Sequence, residues 1–296
     1  DELLVHQSFN LFEVTTYELQ LIHCQILNTV EDCYTALVLP SSVAIDGGIL
    51  NKMSLVGSSE SIRTQRLNLR DVQLNDVSIY SVNTEALMID QCITSDLSVI
   101  DTTVTHTFSL NHTIGDTLLL ERVHSTEAAS SLVGGDWDQI RIEQCEFGLL
   151  ELAPANIEVM EWHLCQVSDL IWSGSSRVNQ WLVLGGQLRR HSLPYEHQVN
   201  SVYLREVYLK EVELSGPLFT GLVISAIARV EHSEVQGPVF ERCCFEGDSR
   251  VYASIFKGER NFAQATALSD FIIDRCVFAT DIQETMRNLS VEGQFK

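Results

Sequence analysis

A short motif, Φ-x-Φ-x-x-[C/V]-x-Φ with Φ mostly apolar, returns along this chain, and six of the eight cysteines occupy its sixth position. The copies read LQLIHCQI (19–26), LMIDQCIT (87–94), IRIEQCEF (140–147), MEWHLCQV (160–167), PVFERCCF (238–245) and FIIDRCVF (271–278). Valine takes the cysteine slot in LNLRDVQL (67–74), LLLERVHS (118–125) and VYLREVYL (202–209). Each copy is too short to bury its apolar face alone, so the copies must stack on one another.

The period follows from the motif starts. Residues 67 and 87 are twenty apart, 140 and 160 twenty, and 160 and 202 forty-two, with a copy between them at WLVLGGQL (181–188) that places Gly186 in the sixth slot. Apolar residues alternate within each copy, as they do along extended chain with one buried face. Short strands returning at this interval predict an all-β fold, a parallel β-solenoid of about 10–12 coils with roughly 20–22 residues in each.

A finer beat of five runs from 67 to 106. Leu67, Val72, Val77, Val82, Leu87, Cys92 and Leu97 are five apart, and Leu69, Leu74, Ile79, Ile89 and Val99 keep the same beat two residues later. This stretch resembles pentapeptide-repeat proteins, in which four five-residue faces make one square coil. The segment WDQIRIEQCEFGLLELAPANIEV (137–159) is expected to break the beat. The IEQCEF and IIDRCVF strings resemble the ladders of right-handed parallel β-helices of the pectin-lyase-like kind, and this coil pattern covers more of the chain. The resemblance implies a β-helix and no particular activity.

Residues 1–18 lack a clean coil and are expected to form a cap. Residues 19–280 form the solenoid, and 281–296 a C-terminal tail or cap. The motif copies at 238 and 271 are thirty-three residues apart, which points to an irregular insertion over 246–270. No run of eighteen apolar residues is present, so no transmembrane segment is expected. The first residue is Asp1, consistent with a trimmed or processed N-terminus. That feature and the kinship in pattern to exported β-helices point to an extracytoplasmic bacterial protein, whereas unoxidised thiols suit a reducing compartment.

Forty acidic residues face nineteen basic ones, a net charge of −21. Such a field repels nucleic-acid backbones and anionic membranes and suits a basic protein partner, divalent cations or simple solubility. The period places six cysteines in one inward column as small buried apolar residues. Parallel neighbours in register rarely meet the torsion a disulfide needs. No C-x2-C pair suggests zinc, and no metal or cofactor is expected.

No G-x-S-x-G, Walker, dinucleotide-binding or H-E-x-x-H motif is present. Candidate binding residues are Arg250, Tyr252, Phe256, Lys257 and Arg260, where cations alternate with aromatics in the out-of-period stretch. Arg189 and Arg190 form the most basic local turn, with His191 and His197 beside them. Asp136 and Asp138 flank Trp137 in GGDWDQ, and extended chain would point both carboxylates to one side, as a sugar or cation contact could use. The favoured function is a non-catalytic β-solenoid that acts as a binding, adhesion or scaffold/effector module through protein–protein contacts. A carbohydrate-active lyase or hydrolase on a β-helix, and an acidic mimic of nucleic acid, are the alternatives.

Overall fold

In the computed structural model the repeats are parallel strands that pair from turn to turn, giving an all-β parallel β-solenoid of ~12 turns with ~21 residues per turn. The structure describes residues 4–5, 18–27, 35–57, 64–191 and 202–296. It divides into two compact units, Asp1–Gly148 and Leu149–Lys296. Most of the expected cap, residues 1–18, lies outside the described residues; Leu4–Val5 pairs with Gln25 and Ile26.

In the first unit Leu67 pairs with Leu87, and Leu87 with Phe108, each one turn further along. Buried side chains come in pairs two residues apart, and the pairs recur every five residues: Leu67 and Leu69, Val72 and Leu74, Val77 and Ile79, Val82 and Thr84. Contrary to expectation, the beat does not end at 106. It continues as Leu118 and Leu120, Val123 and Ser125, Ile140 and Ile142, Cys145 and Phe147. In the second unit Leu150 and Leu152, Met160 and Trp162, Cys165 and Val167, Leu170 and Trp172 keep it. Single-residue register shifts, as between Thr84 and Ala86, reset its phase, and buried Thr and Ser occupy some inward slots, so the sequence conceals it.

Corners of the turns are made by residues in the left-handed region. Ser81, Asp101, Arg122 and Gln144 do this on one edge of the first unit, and Glu211, His232, Ala253 and Arg275 in the second. A left-handed non-glycine residue costs roughly 1–2 kcal/mol. Here each turn recovers a backbone bond at the corner: Asp101 N–H donates to the Glu121 carbonyl at 3.0 Å, and His232 N–H to that of Tyr252 at 3.0 Å.

The cysteine slot is the residue that follows such a corner, except in the copy at 202–209, where Glu206 is not left-handed and Val207 pairs with Trp181. At a corner the slot's side chain turns inward and bonds back to the carbonyl two residues earlier: Cys92 to Asp90 (3.4 Å), Thr102 to Ile100 (3.0 Å), Cys145 to Glu143 (3.2 Å), Ser233 to Glu231 (2.8 Å). Only a small or β-branched residue fits, which is why Cys, Val, Thr and Ser interchange there. Gly186 stacks on Cys165 at this slot with φ +93, and a Cβ would stand 2.1 Å from the Cys165 carbonyl oxygen.

The expected single cysteine column is corrected. Within the first unit Cys24 and Cys92 follow the corners at His23 and Gln91, whereas Cys145 follows Gln144 on another edge. The motif recurs on more than one side of the turn, so equal motif positions do not mean equal columns. All seven described cysteines are thiols rather than half-cystines.

Residues 246–270 are likewise a turn in register rather than an irregular insertion. Asp248–Tyr252 pairs with Ile227–Glu231 before it and, through Ser249–Tyr252, with Phe271–Asp274 after it. The spacing misled because the copy at 238 sits on a different side from the copy at 271: Cys244 pairs with Thr266, whereas Phe271 pairs with Ser249. A stack of Phe219, Phe240 and Phe262, with centroids 5.0 and 5.2 Å apart, fills the core of these turns. The C-terminal stretch contains a short helix, Ile282–Thr285, capped by the Asp281 carboxylate, and strand Ser290–Val291, which pairs with Thr266–Ala267.

Candidate binding faces

Two faces of opposite character stand out, one in each unit. In the first unit strand alternation carries Asp136 and Asp138 outward and Trp137 inward. Trp137 is 6% exposed and packs on Gly115, where a Cβ would come within 2.5 Å of the indole. Trp137 is therefore a core residue, opposite the two exposed carboxylates as strand alternation led one to expect, and does not line a binding surface.

One turn earlier are Ile114 and Asp116, and before them Ile93, the register partner of Ile114; Asp96, three residues on, pairs with Thr117. Ile93 and Ile114 are 61% and 50% exposed. Asp96, Asp116, Asp136 and Asp138 are all exposed around them, and no Lys or Arg occurs in residues 91–96, 112–117 or 134–139. The chain's charge is divided unevenly: residues 1–148 hold 21 acidic and 6 basic residues, and 149–296 hold 19 and 13.

In the second unit Tyr208, Arg229 and Arg250 are register partners on consecutive turns. The Arg229 guanidinium lies 5.6 Å from the Tyr208 ring centroid. Arg250 and Arg275 lie 5.4 and 5.6 Å from that of Tyr252, and His232 meets the same ring edge-on at 5.5 Å. Arg275 also donates to the Tyr252 hydroxyl at 2.9 Å. The Asp274 carboxylate is 3.3 Å from Arg250 and 4.0 Å from Arg275. Burial, and then Glu206, push the Tyr208 phenol above its usual range. Tyr208, Arg229 and Arg275 are not marked by any motif. For Tyr208 and Arg229 a signal was present in the 21-residue steps from 208 to 229 to 250; Arg275 has no such signal.

The remaining expected residues separate. Phe256 is fully buried against Phe278 and Phe262, so it belongs to the core and not to a binding surface. Lys257 pairs with Glu234 at 2.6 Å, and Arg260 with the buried carboxylate of Glu241, so both cations are tied to neighbouring turns. Arg190 is 6% exposed and reaches the Pro217 carbonyl at 3.5 Å; burial lowers its pKa, with Asp169 opposing. It is a structural arginine, unlike exposed Arg189, which lines a shallow groove with His191, Glu213, Glu234 and Gln236. His197 lies outside the described residues. A second shallow depression collects Glu211, Glu213 and Glu234 beside His232.

Among the described residues no group of three His, Cys, Asp or Glu side chains is placed to hold a metal ion. No described helix is long and apolar enough to cross a membrane. No protein-family model matches the chain, and neither a curated protein nor a solved structure matches it.

Proposed function

We propose that the protein is a non-catalytic binding or scaffold module that engages a basic protein surface through the face containing Ile93 and Ile114. The observation that carries this reading is an exposed apolar pair ringed by Asp96, Asp116, Asp136 and Asp138, with no cation among them. Such a face repels anionic ligands, offers apolar area to desolvate, and gives a basic partner both steering and register. Affinity capture from source cells with the wild-type chain and with Ile93→Ser/Ile114→Ser tests it. A basic protein retained by the first and lost by the second is the expected result. Release of reducing or unsaturated ends from a polysaccharide panel would instead establish the carbohydrate-active alternative.

A second reading is an acidic mimic that covers a basic nucleic-acid-binding surface. It is favoured by the persistence of the five-residue beat in buried pairs through Leu170 and Trp172, which extends the pentapeptide-type pattern well beyond the forty residues where the sequence displays it. Of the two family resemblances, this burial pattern suits the square coil better than the pectin-lyase-like one. Competition between the protein and duplex DNA for a basic DNA-binding protein separates mimicry from simple docking.

A further inference from the structure

The Arg–Tyr strip of the second unit is a different kind of surface, and its reading stands whether or not the aspartate face binds a partner. We propose that Tyr208, Arg229, Arg250, Tyr252 and Arg275 form a docking site for an acidic protein segment. The register places Tyr208, Arg229 and Arg250 on three successive turns, roughly 4.8 Å apart. Arg250 and Tyr252 are two residues apart on one strand, so they share its outer face, and Arg275 stands at the corner of the following turn.

The ring contacts place each guanidinium against a tyrosine, and Arg275 is further tied to the Tyr252 hydroxyl. A guanidinium in such a contact still presents N–H groups that can grip a carboxylate with two bonds. Less side-chain freedom is then lost on binding, and an exposed arginine becomes a useful anchor. Arg229 takes part in no salt bridge with the described residues, and Arg250 and Arg275 share the single carboxylate of Asp274. The strip therefore has donor capacity that its own acids do not use. Tyr and Arg are also the side chains that most often carry the energy of protein interfaces.

The surroundings restrict the ligand. Glu206, Glu231 and Asp248 lie on the same turns, and the whole chain carries −21. A nucleic acid or other long polyanion would meet that field along its entire length. A short segment with two or three carboxylates meets it only within about 8 Å, the screening distance at physiological salt. The ligand class that fits is a brief acidic stretch of protein.

The test uses a fluorescein-labelled hexapeptide of alternating glutamate and serine, with three glutamates, followed by anisotropy at physiological ionic strength. Saturable binding to the wild-type chain is expected, with at least a tenfold loss in Arg229→Gln/Arg250→Gln/Arg275→Gln. The same three positions changed to Lys keep the charge and lose the planar, two-pronged donor, so a similar loss is expected there. Arg242→Gln, outside the strip, should bind as wild type. Tryptophan emission checks that each variant is folded, and Tyr252→Leu replaces the triple variant if that one is not. Absence of saturable binding by the wild type, or equal binding by the Lys variant and Tyr252→Leu, overturns the proposal. Equal or tighter binding of a single-stranded DNA oligomer of the same charge overturns the assignment to a protein segment.

Discussion

The Ser254 hydroxyl links two turns: it accepts the amide hydrogen of Ser233 at 3.2 Å and donates to the Tyr252 carbonyl at 2.9 Å. Ser233 repeats the arrangement one turn earlier, accepting from Val212 N–H at 3.3 Å. The slot that the sequence marks with cysteine thus serves as a corner clamp. Ser254→Ala should leave the Ser233 amide unsatisfied and cost about 1–3 kcal/mol, as read from urea unfolding. Ser254→Cys should recover most of that loss, since Cys145 receives the Val123 amide in the same way at 3.4 Å.

Thiol reactivity should divide the cysteines by burial. Cys92 is fully buried, and burial pushes its pKa up to about 11. It should label slowly in the native protein and quickly after denaturation, whereas the partly exposed Cys244 and Cys276 should label first. The unfolded chain ionises near the ordinary thiol value of 9.0, before the native state does. Cys92 therefore leaves stability untouched below pH 9 and lowers it as the pH rises from there to about 11. A Cys92→Val variant should show a shallower alkaline fall, and one as steep as wild type would place the titrating group elsewhere.

Core substitutions should grade with depth. Ile142 is fully buried, so Ile142→Ala should cost about 2–5 kcal/mol. Phe278 fills the last apolar slot of its motif copy but is only partly buried on the last turns, and Phe278→Ala should cost distinctly less. Equal thermal midpoints for the two variants would contradict this gradient.

All four tryptophans are buried, and Trp162, Trp172 and Trp181 pack edge to face with centroids 5.4 and 5.2 Å apart. Native emission should be blue-shifted and resist iodide quenching, then move to the red on unfolding. Strong quenching of the native protein would show that the Trp137 or Trp181 turns are open to solvent.

Gly135 is left-handed at φ +82, and a Cβ there would stand 2.0 Å from the Thr113 carbonyl oxygen. Gly135→Ala should therefore be strongly destabilising, whereas Gly221→Ala, with no atom within 4 Å of a new Cβ, should cost only the backbone penalty of φ +75. Thermal melts of the two variants measure the difference, and a larger loss at Gly221 would mean that the close approach at Gly135 is relieved by a small backbone shift.

Alternation and stacking are local properties that recur at a fixed interval, so the strand repeat, the turn of about 21 residues and the inward side of Leu67, Ile142 and Leu204 are legible in the chain. So is the shared side of Asp136 and Asp138 on their strand. Which copies share a column is set by the folded coil. The motif recurs on more than one side of a turn, so Cys92 and Cys145 read alike in sequence and lie on different edges. The folded coil also decides that Phe256 is core, that 246–270 is an ordinary turn, and that Tyr208, Arg229 and Arg250 are neighbours. Neighbours in a solenoid are separated by the length of a whole turn, and single-residue shifts change that length from one turn to the next. Their adjacency is therefore a sum over the chain and is not written in any one segment.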